Sequence, residues 1–80
     1  MVHLEVINEP PALNGKSLTH RNIECLSFKF SVKTKELSIY ETYQEWIDDT
    51  PAYTICFVTN IIYWDDKGGN SHDKKLRHLN

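Results

Sequence analysis

The chain has few of the residues that mark common chemistries. Its two cysteines, Cys25 and Cys56, are far apart and lack the CxxC spacing of a zinc or redox motif. The adjacent glycines Gly68 and Gly69 have neither the spacing nor the Lys-Ser/Thr pair of a phosphate-binding loop. No apolar run approaches the roughly 18 residues that a membrane helix needs. The first residues are not a basic stretch followed by an apolar one, which is the pattern of a signal peptide. We therefore expect no cofactor and no membrane contact. Free thiols in a reducing, cytoplasmic compartment are the default expectation, and one disulfide is the alternative if the chain is exported.

Metal binding and catalysis have little support. His72 and His78 are six residues apart, so on a helix their side chains would point in directions about 120° apart. The turn sequence at 65–69, DDKGG, lacks the alternating oxygen ligands and the closing Glu of a calcium loop. Cys25 can be combined with a histidine and an acid, but four histidines and eleven acids make such a triple expected by chance. We predict no metal site and no enzyme, with a small thiol or hydrolytic enzyme as the weakest alternative.

The length indicates one small domain, and its charges are distributed unevenly along the sequence. At 80 residues, only about 60% of the unfolded chain's surface can be buried, so the core must be small. Residues 1–34 carry four basic against three acidic side chains, residues 35–66 carry one against seven, and residues 67–80 carry four against one. A partner would meet an acidic middle and a basic end.

The segment 38–49, SIYETYQEWIDD, has the clearest pattern in the chain. At about 100° per residue its large apolar side chains share an arc of roughly 120°. A helix over about 35–49 is predicted, starting at Thr34 or at the capping-box pair Ser38 and Glu41 and ending at Thr50-Pro51. The apolar arc is expected to be core and comprises Ile39, Tyr40, Tyr43, Trp46 and Ile47.

A strand is the competing interpretation of this segment. Its odd positions would bury Glu41 and Glu45 beside Ile39, Tyr43 and Ile47, which costs several kcal/mol without partners. The helix is therefore favoured.

Alternating apolar residues predict three strands elsewhere. Residues 3–7 alternate, residues 24–33 alternate strictly, and residues 53–64 are β-prone and apolar on both faces. Thr59-Asn60 is expected to mark a bulge or a turn in the last of these, residues 8–22 a loop, and residues 73–79 a short final helical turn. The predicted fold is α+β: a mainly antiparallel sheet of three or four strands with one amphipathic helix on it, in the order β-β-α-β and tail.

The leading functional hypothesis is a small non-enzymatic protein of inhibitor or adaptor type that binds another protein. It would act through the acidic helix face and through the apolar sheet face of residues 53–64, which a second copy in a homodimer could also cover. Asp48 and Asp49 stand at the helix C-terminus, where the macrodipole disfavours negative charge. The partner-binding candidates are Glu41, Glu45, Asp48, Asp49, Asp65 and Asp66.

A nucleic-acid-associated protein is the alternative hypothesis. Sheet aromatics would stack on bases and basic side chains would contact phosphates. The aromatics Phe28, Phe30, Tyr53 and Phe57 alternate with polar residues as a core face does, and the net charge of −2 disfavours this function. The basic candidates are Lys16, Arg21, Lys74, Lys75 and Arg77.

Overall fold

The structure, a computed structural model, describes the backbone of residues 1–12, 15–65 and 77–79 and the side chains of residues 1–12 and 17–65. Along the chain lie β1 (Val2–Asn8), β2 (Pro11–Ala12), β3 (Gly15–Lys16), β4 (Thr19–Cys25), β5 (Ser27–Ser31), β6 (Glu36–Tyr40), α1 (Tyr43–Asp48), β7 (Tyr53–Ile55), β8 (Val58–Asp65) and β9 (Arg77–Leu79). Sheet I has the strand order β4, β1, β8, β9, and sheet II has the order β5, β6, β7. All of these pairings are antiparallel. The described residues form an α+β fold that is mostly sheet, with two main sheets and a short β2–β3 ladder in place of the single predicted sheet.

The core lies between the two sheets. In β1, Leu4 and Val6 are buried, while the alternate residues His3, Glu5 and Ile7 are only partly buried, which confirms the alternation predicted for the first strand. In sheet II the central strand β6 buries Leu37 and Ile39. Side chains from both sheets form one apolar cluster: Leu4, Val6, Cys25, Leu37, Ile39, Ile55, Val58 and Ile61.

The chain passes from one sheet to the other at two places. After β4 it bends at Leu26, whose N–H donates to the carbonyl of Tyr40 at 3.0 Å, and it enters sheet II as β5. It returns after β7 through Phe57, which has a positive φ of 59°. The segments 24–33 and 53–64 are therefore each divided between the two sheets, and the prediction of one continuous strand for 24–33 is wrong. The predicted irregularity near Thr59 is present as a register shift in β8, where Ile7 faces Asn60 and Asn8 faces Val58.

The predicted helix over 35–49 is wrong in its first half. Residues of β6 pair with β5 and β7, and the helix itself spans only Tyr43–Asp48. Its cap is Thr42, so the predicted starts at Thr34 and at the Ser38 and Glu41 pair are also wrong. Up to Tyr40 the segment is a strand and not a helix, because Leu37 and Ile39 enter the core with the strand period of two.

The apolar arc predicted for the core is divided by this correction. Ile39 and Tyr40 are buried. Tyr43, Trp46 and Ile47 have exposed fractions of 69%, 38% and 56%, and α1 has no buried residue. The prediction that the whole arc is core is wrong for its three helical members.

The remaining segments differ from expectation in smaller ways. The predicted loop 8–22 contains the β2 and β3 ladder, and β4 begins within it at Thr19. Arg77–Leu79 pairs with β8, so a helical turn is wrong for these three residues, while 73–76 lie outside the described residues. No helix in the described part of the chain combines the length and the apolarity that crossing a membrane requires.

The turn between β5 and β6 contains a lysine in the left-handed region. Lys35 has a φ of 63° and is exposed. A non-glycine residue there costs about 1–2 kcal/mol, and glycine avoids most of this at an entropic cost of about 0.5–1 kcal/mol. We expect Lys35→Gly to raise the free energy of unfolding by up to about 1 kcal/mol in urea denaturation. Lys33→Gly, a change at a nearby exposed lysine without positive φ, should lower it; equal losses in both variants would contradict the argument.

Candidate functional site

The helix α1 is short and is defined at both ends by side-chain and backbone hydrogen bonds. The Oγ1 of Thr42 accepts from the N–H of Glu45 at 3.2 Å. The Oε1 of Glu45 accepts in return from the N–H groups of Thr42 at 3.0 Å and Glu41 at 2.8 Å. Asp49 ends the helix in the left-handed conformation with φ 54° and ψ 44°. The capping box explains why this segment is helical although it is only six residues long.

The helix packs on the outer face of sheet II. Tyr40 follows Ile39 in β6 and therefore points away from the core, yet it is almost fully buried. The Trp46 ring covers it edge to face, with centroids 5.2 Å apart and planes at 88°. This contact makes Trp46 the side chain that joins α1 to the sheet.

A cationic side chain completes this packing. Lys29, on the outer face of β5, places its Nζ 5.5 Å from the Tyr40 ring centroid and 5.2 Å from that of Trp46. The same Nζ donates to Oδ1 of Asp49 at 3.1 Å, and the Tyr40 hydroxyl donates to that oxygen at 2.6 Å. These four residues, Lys29, Tyr40, Trp46 and Asp49, are called the Lys29 cluster below.

The hydrogen bonds of the Lys29 cluster shift the titration of its members. Hydrogen bonds from Tyr40 and then from Lys29 hold the pKa of Asp49 below its ordinary value. The hydrogen bond to Asp49 raises the pKa of Tyr40 and that of Lys29. At neutral pH the cluster is therefore a carboxylate, a neutral phenol and an ammonium group.

The lowered pKa of Asp49 predicts a pH-dependent contribution to stability. A carboxyl whose pKa is depressed by folding stabilises the fold above its ordinary value, 3.8, and this stabilisation is lost as the pH falls below it. We expect Asp49→Asn to lower the melting temperature at neutral pH and the difference from wild type to shrink below pH 3.8. Asp48→Asn is the control for loss of one charge from the same segment. A difference that stays constant from neutral pH into this acidic range would contradict the prediction.

The structure places four of the predicted partner-binding acids in or beside α1: Glu41, Glu45, Asp48 and Asp49. Two of them have structural roles, since Glu45 belongs to the capping box and Asp49 to the Lys29 cluster. Asp48 accepts a hydrogen bond from Gln44 at 2.8 Å. These contacts give the two aspartates at the helix end local partners, so their position is not by itself a sign of function.

The other two acids have different locations. Asp65 ends β8 in sheet I, where its Oδ1 lies 3.9 Å from the N-terminal amine. Asp66 lies outside the described residues. The structure therefore shows four of the six candidate acids around α1, and Asp65 lies in sheet I.

The sequence-based interpretation missed an exposed apolar surface on α1. Tyr43, Trp46 and Ile47 are spaced i, i+3, i+4 and form one face of the helix, called the docking patch below. The signal that could have revealed it is Thr42-x-x-Glu45, a capping box that starts the helix at Tyr43 and excludes Ile39 and Tyr40 from it.

On the outer face of sheet I, Ile62 and Trp64 of the predicted apolar face pair with the polar residues Glu5 and His3 of β1. Trp64 stacks on His3 with ring centroids 5.4 Å apart. A shallow cavity of about 190 Å³ beside this pair is lined by His3, Leu4, Asn22, Ile23, Glu24 and Trp64. This volume is below the roughly 300–1,000 Å³ of small-molecule pockets. Among the described residues, no three His, Cys, Asp or Glu side chains are grouped as metal ligands.

The nucleic-acid candidates are dispersed over the chain. Arg21 is exposed in β4, Lys16 is in β3, and Arg77 is in β9. Lys74 and Lys75 lie outside the described residues. The rings of Phe28 and Phe30 pack against the core, as Phe28 does on Tyr63 at 4.9 Å, which removes them as stacking platforms for bases.

The two cysteines are free and differ in exposure. Cys25 is buried and Cys56 is exposed. Burial, with a smaller contribution from Glu41, raises the pKa of Cys25 to about 11. Cys25 is therefore an inert core thiol at neutral pH.

Comparisons of the chain with protein-family models, with curated proteins and with solved structures found no match.

Proposed function

We propose that this protein is a non-enzymatic protein-binding protein of inhibitor or adaptor type, and that α1 is its contact surface. The observation that carries the proposal is the docking patch. Three large apolar side chains share one face of a helix that buries none of its residues. Tyrosine and tryptophan supply a large part of the binding energy in many protein interfaces.

The charges around the docking patch favour a basic partner. Four acidic residues lie within positions 41–49, and the last turn of α1 contains no basic residue. A negative rim attracts a partner with lysine and arginine side chains and increases the association rate. The expected occupant is thus a protein that presents basic residues around a small apolar site.

A binding function is preferred to catalysis because of the state of the candidate nucleophile. The thiol of Cys25 is buried, and its pKa of about 11 keeps it protonated. Both cysteines are free, which supports a reducing, cytoplasmic location as part of the proposal.

The test compares two matched variants of the full chain. Ile47 and Leu18 are exposed by 56% and 64%, and each loses the same number of carbon atoms on replacement by alanine. The wild type and Leu18→Ala are expected to capture the same protein from an extract of the native host, and Ile47→Ala is expected to lose it. The captured protein is then purified and titrated against all three by calorimetry.

Two results would overturn the proposal. One is a captured protein that binds wild type and Ile47→Ala with equal affinity. The other is a wild-type homodimer in size-exclusion chromatography with light scattering that Ile47→Ala converts to a monomer, because a second copy would then occupy the docking patch.

A further inference from the structure

The Lys29 cluster has the composition of a cation-binding site. The Nζ of Lys29 lies within 6 Å of two aromatic ring centroids, at 5.5 Å from Tyr40 and 5.2 Å from Trp46. The carboxylate of Asp49 supplies the counter-charge at 3.1 Å. Two rings and a carboxylate, contributed by β6 and by α1 with its C-terminal cap, thus surround one ammonium group.

The residues around the ammonium group have contacts with one another that do not depend on the lysine. Tyr40 is buried, its ring is packed by Trp46, and its hydroxyl is hydrogen-bonded to Asp49. The backbone of Asp49 is fixed as the C-cap of α1, and its carboxylate, although about two-thirds exposed, accepts the Tyr40 hydroxyl. The side chain of Lys29 is about half exposed on a flexible stem, and exposed ion pairs of this type contribute little stability. The lysine can leave while the site keeps its shape.

The hydrogen-bonding pattern at Asp49 favours arginine as an incoming ligand. Lys29 and Tyr40 both donate to Oδ1, and no donor from the described residues reaches Oδ2. A guanidinium group can donate to both oxygens of a carboxylate and stack on an aromatic ring at the same time. An arginine would therefore make a hydrogen bond that the lysine does not make.

The structure assigns a second element to the contact surface: Tyr40, Trp46 and Asp49 form a cage for an arginine side chain of the protein partner, and Lys29 occupies that cage as a built-in competitor in the unbound protein. Trp46 belongs to both the cage and the docking patch, so a partner lying on α1 can reach both. This inference deepens the proposed function and rests on it.

The cage can be tested without a partner. The probe is N-acetyl-arginine amide, with the neutral citrulline analogue as the matched ligand control, and the signal is the indole N–H of Trp46 in NMR spectra, assigned with Trp46→Phe. Lys29→Met removes the competitor and keeps an unbranched side chain, and Lys33→Met is the control for loss of an exposed lysine.

Lys29→Met is expected to bind the arginine probe about three- to thirtyfold more tightly than wild type, the range for losing the cation–π packing of one exposed ammonium group and one exposed ion pair as competitors. Lys33→Met should bind like wild type, and the citrulline analogue should not shift the signal. Adding Asp49→Asn to Lys29→Met should abolish the gain. Equal binding by wild type and Lys29→Met, or equal binding of the neutral analogue, would overturn the inference.

The outcome separates the cage from the docking patch. If the arginine probe does not bind Lys29→Met while Ile47→Ala still loses the captured partner, the cage is wrong and the proposed function stands. If the probe binds as expected while Ile47→Ala retains the partner, the cage binds arginine but the docking patch is not the contact surface, and the assignment of the cage to that partner is overturned.

Discussion

Ile39→Ala is expected to lower the free energy of unfolding by about 2–5 kcal/mol, whereas Ile47→Ala is expected to change it by no more than about 0.5 kcal/mol. The two substitutions remove the same atoms eight positions apart. Ile39 is fully buried in β6, between the pairing positions of Phe28 in β5 and Tyr53 in β7. Ile47 is largely exposed on α1.

Equilibrium denaturation in urea, followed by far-ultraviolet circular dichroism, measures both values. The pair discriminates between two structures, because a helix over 35–49 would place both isoleucines on its buried face and both substitutions would then cost several kcal/mol. Losses of equal size would contradict the division of this segment into β6 and α1. A variant with unchanged slope in urea and a lower midpoint reports a true loss of stability.

The error in this segment came from joining two short elements in one window. Residues 36–40 alternate with period two, and residues 43–48 follow helical spacing. In the window 38–49, Ile39 and Tyr40 of the strand fall on the same helical arc as Tyr43, Trp46 and Ile47. A strand that continues to Ile47 would bury Glu41 and Glu45, whereas β6 ends at Tyr40 and includes neither residue.

Other features were predictable because they depend on local pattern. The first strand alternates and is buried on one side, and the irregularity near Thr59 lies where it was expected. The crossings between sheets were not predictable in this way. Leu26 fits the apolar alternation of its neighbours, although the chain bends at this residue. Phe57 has a positive φ, which its aromatic side chain does not predict.

In the candidate site, too, the features set by neighbouring residues are predictable from the sequence, and the contacts between distant residues are not. The acidic residues around α1 are visible in the sequence, and so is the Thr42-x-x-Glu45 cap once it is considered. The contact of Lys29 with Asp49 joins residues 20 positions apart and requires the register of β5 on β6, in which Lys29 faces Ser38. No spacing rule connects these two residues before the strands are paired.

Trp46→Ala is expected to weaken binding of the captured partner about thirtyfold or more, which corresponds to the loss of roughly 2 kcal/mol or more that defines an interface hot spot. Trp46 belongs to both the docking patch and the Lys29 cluster, in which it packs on Tyr40, so its removal affects both parts of the surface. Calorimetric titration of the purified partner measures the change. Trp64→Ala is the matched control, because the other tryptophan stacks on His3 in sheet I.

Loss of the helix is the competing explanation for such an effect, since Trp46 covers Tyr40. Asp48→Lys separates the two explanations. A lysine in the last turn of α1 is favourable to the helix dipole, so this variant should remain folded, while the charge reversal should slow association with a basic partner and reduce the salt dependence of its rate. Wild-type affinity in Trp46→Ala, or an unchanged association rate in Asp48→Lys, would place the contact surface away from α1. A loss in both, with Trp64→Ala unaffected, would be explained by contact through α1 and not by unfolding.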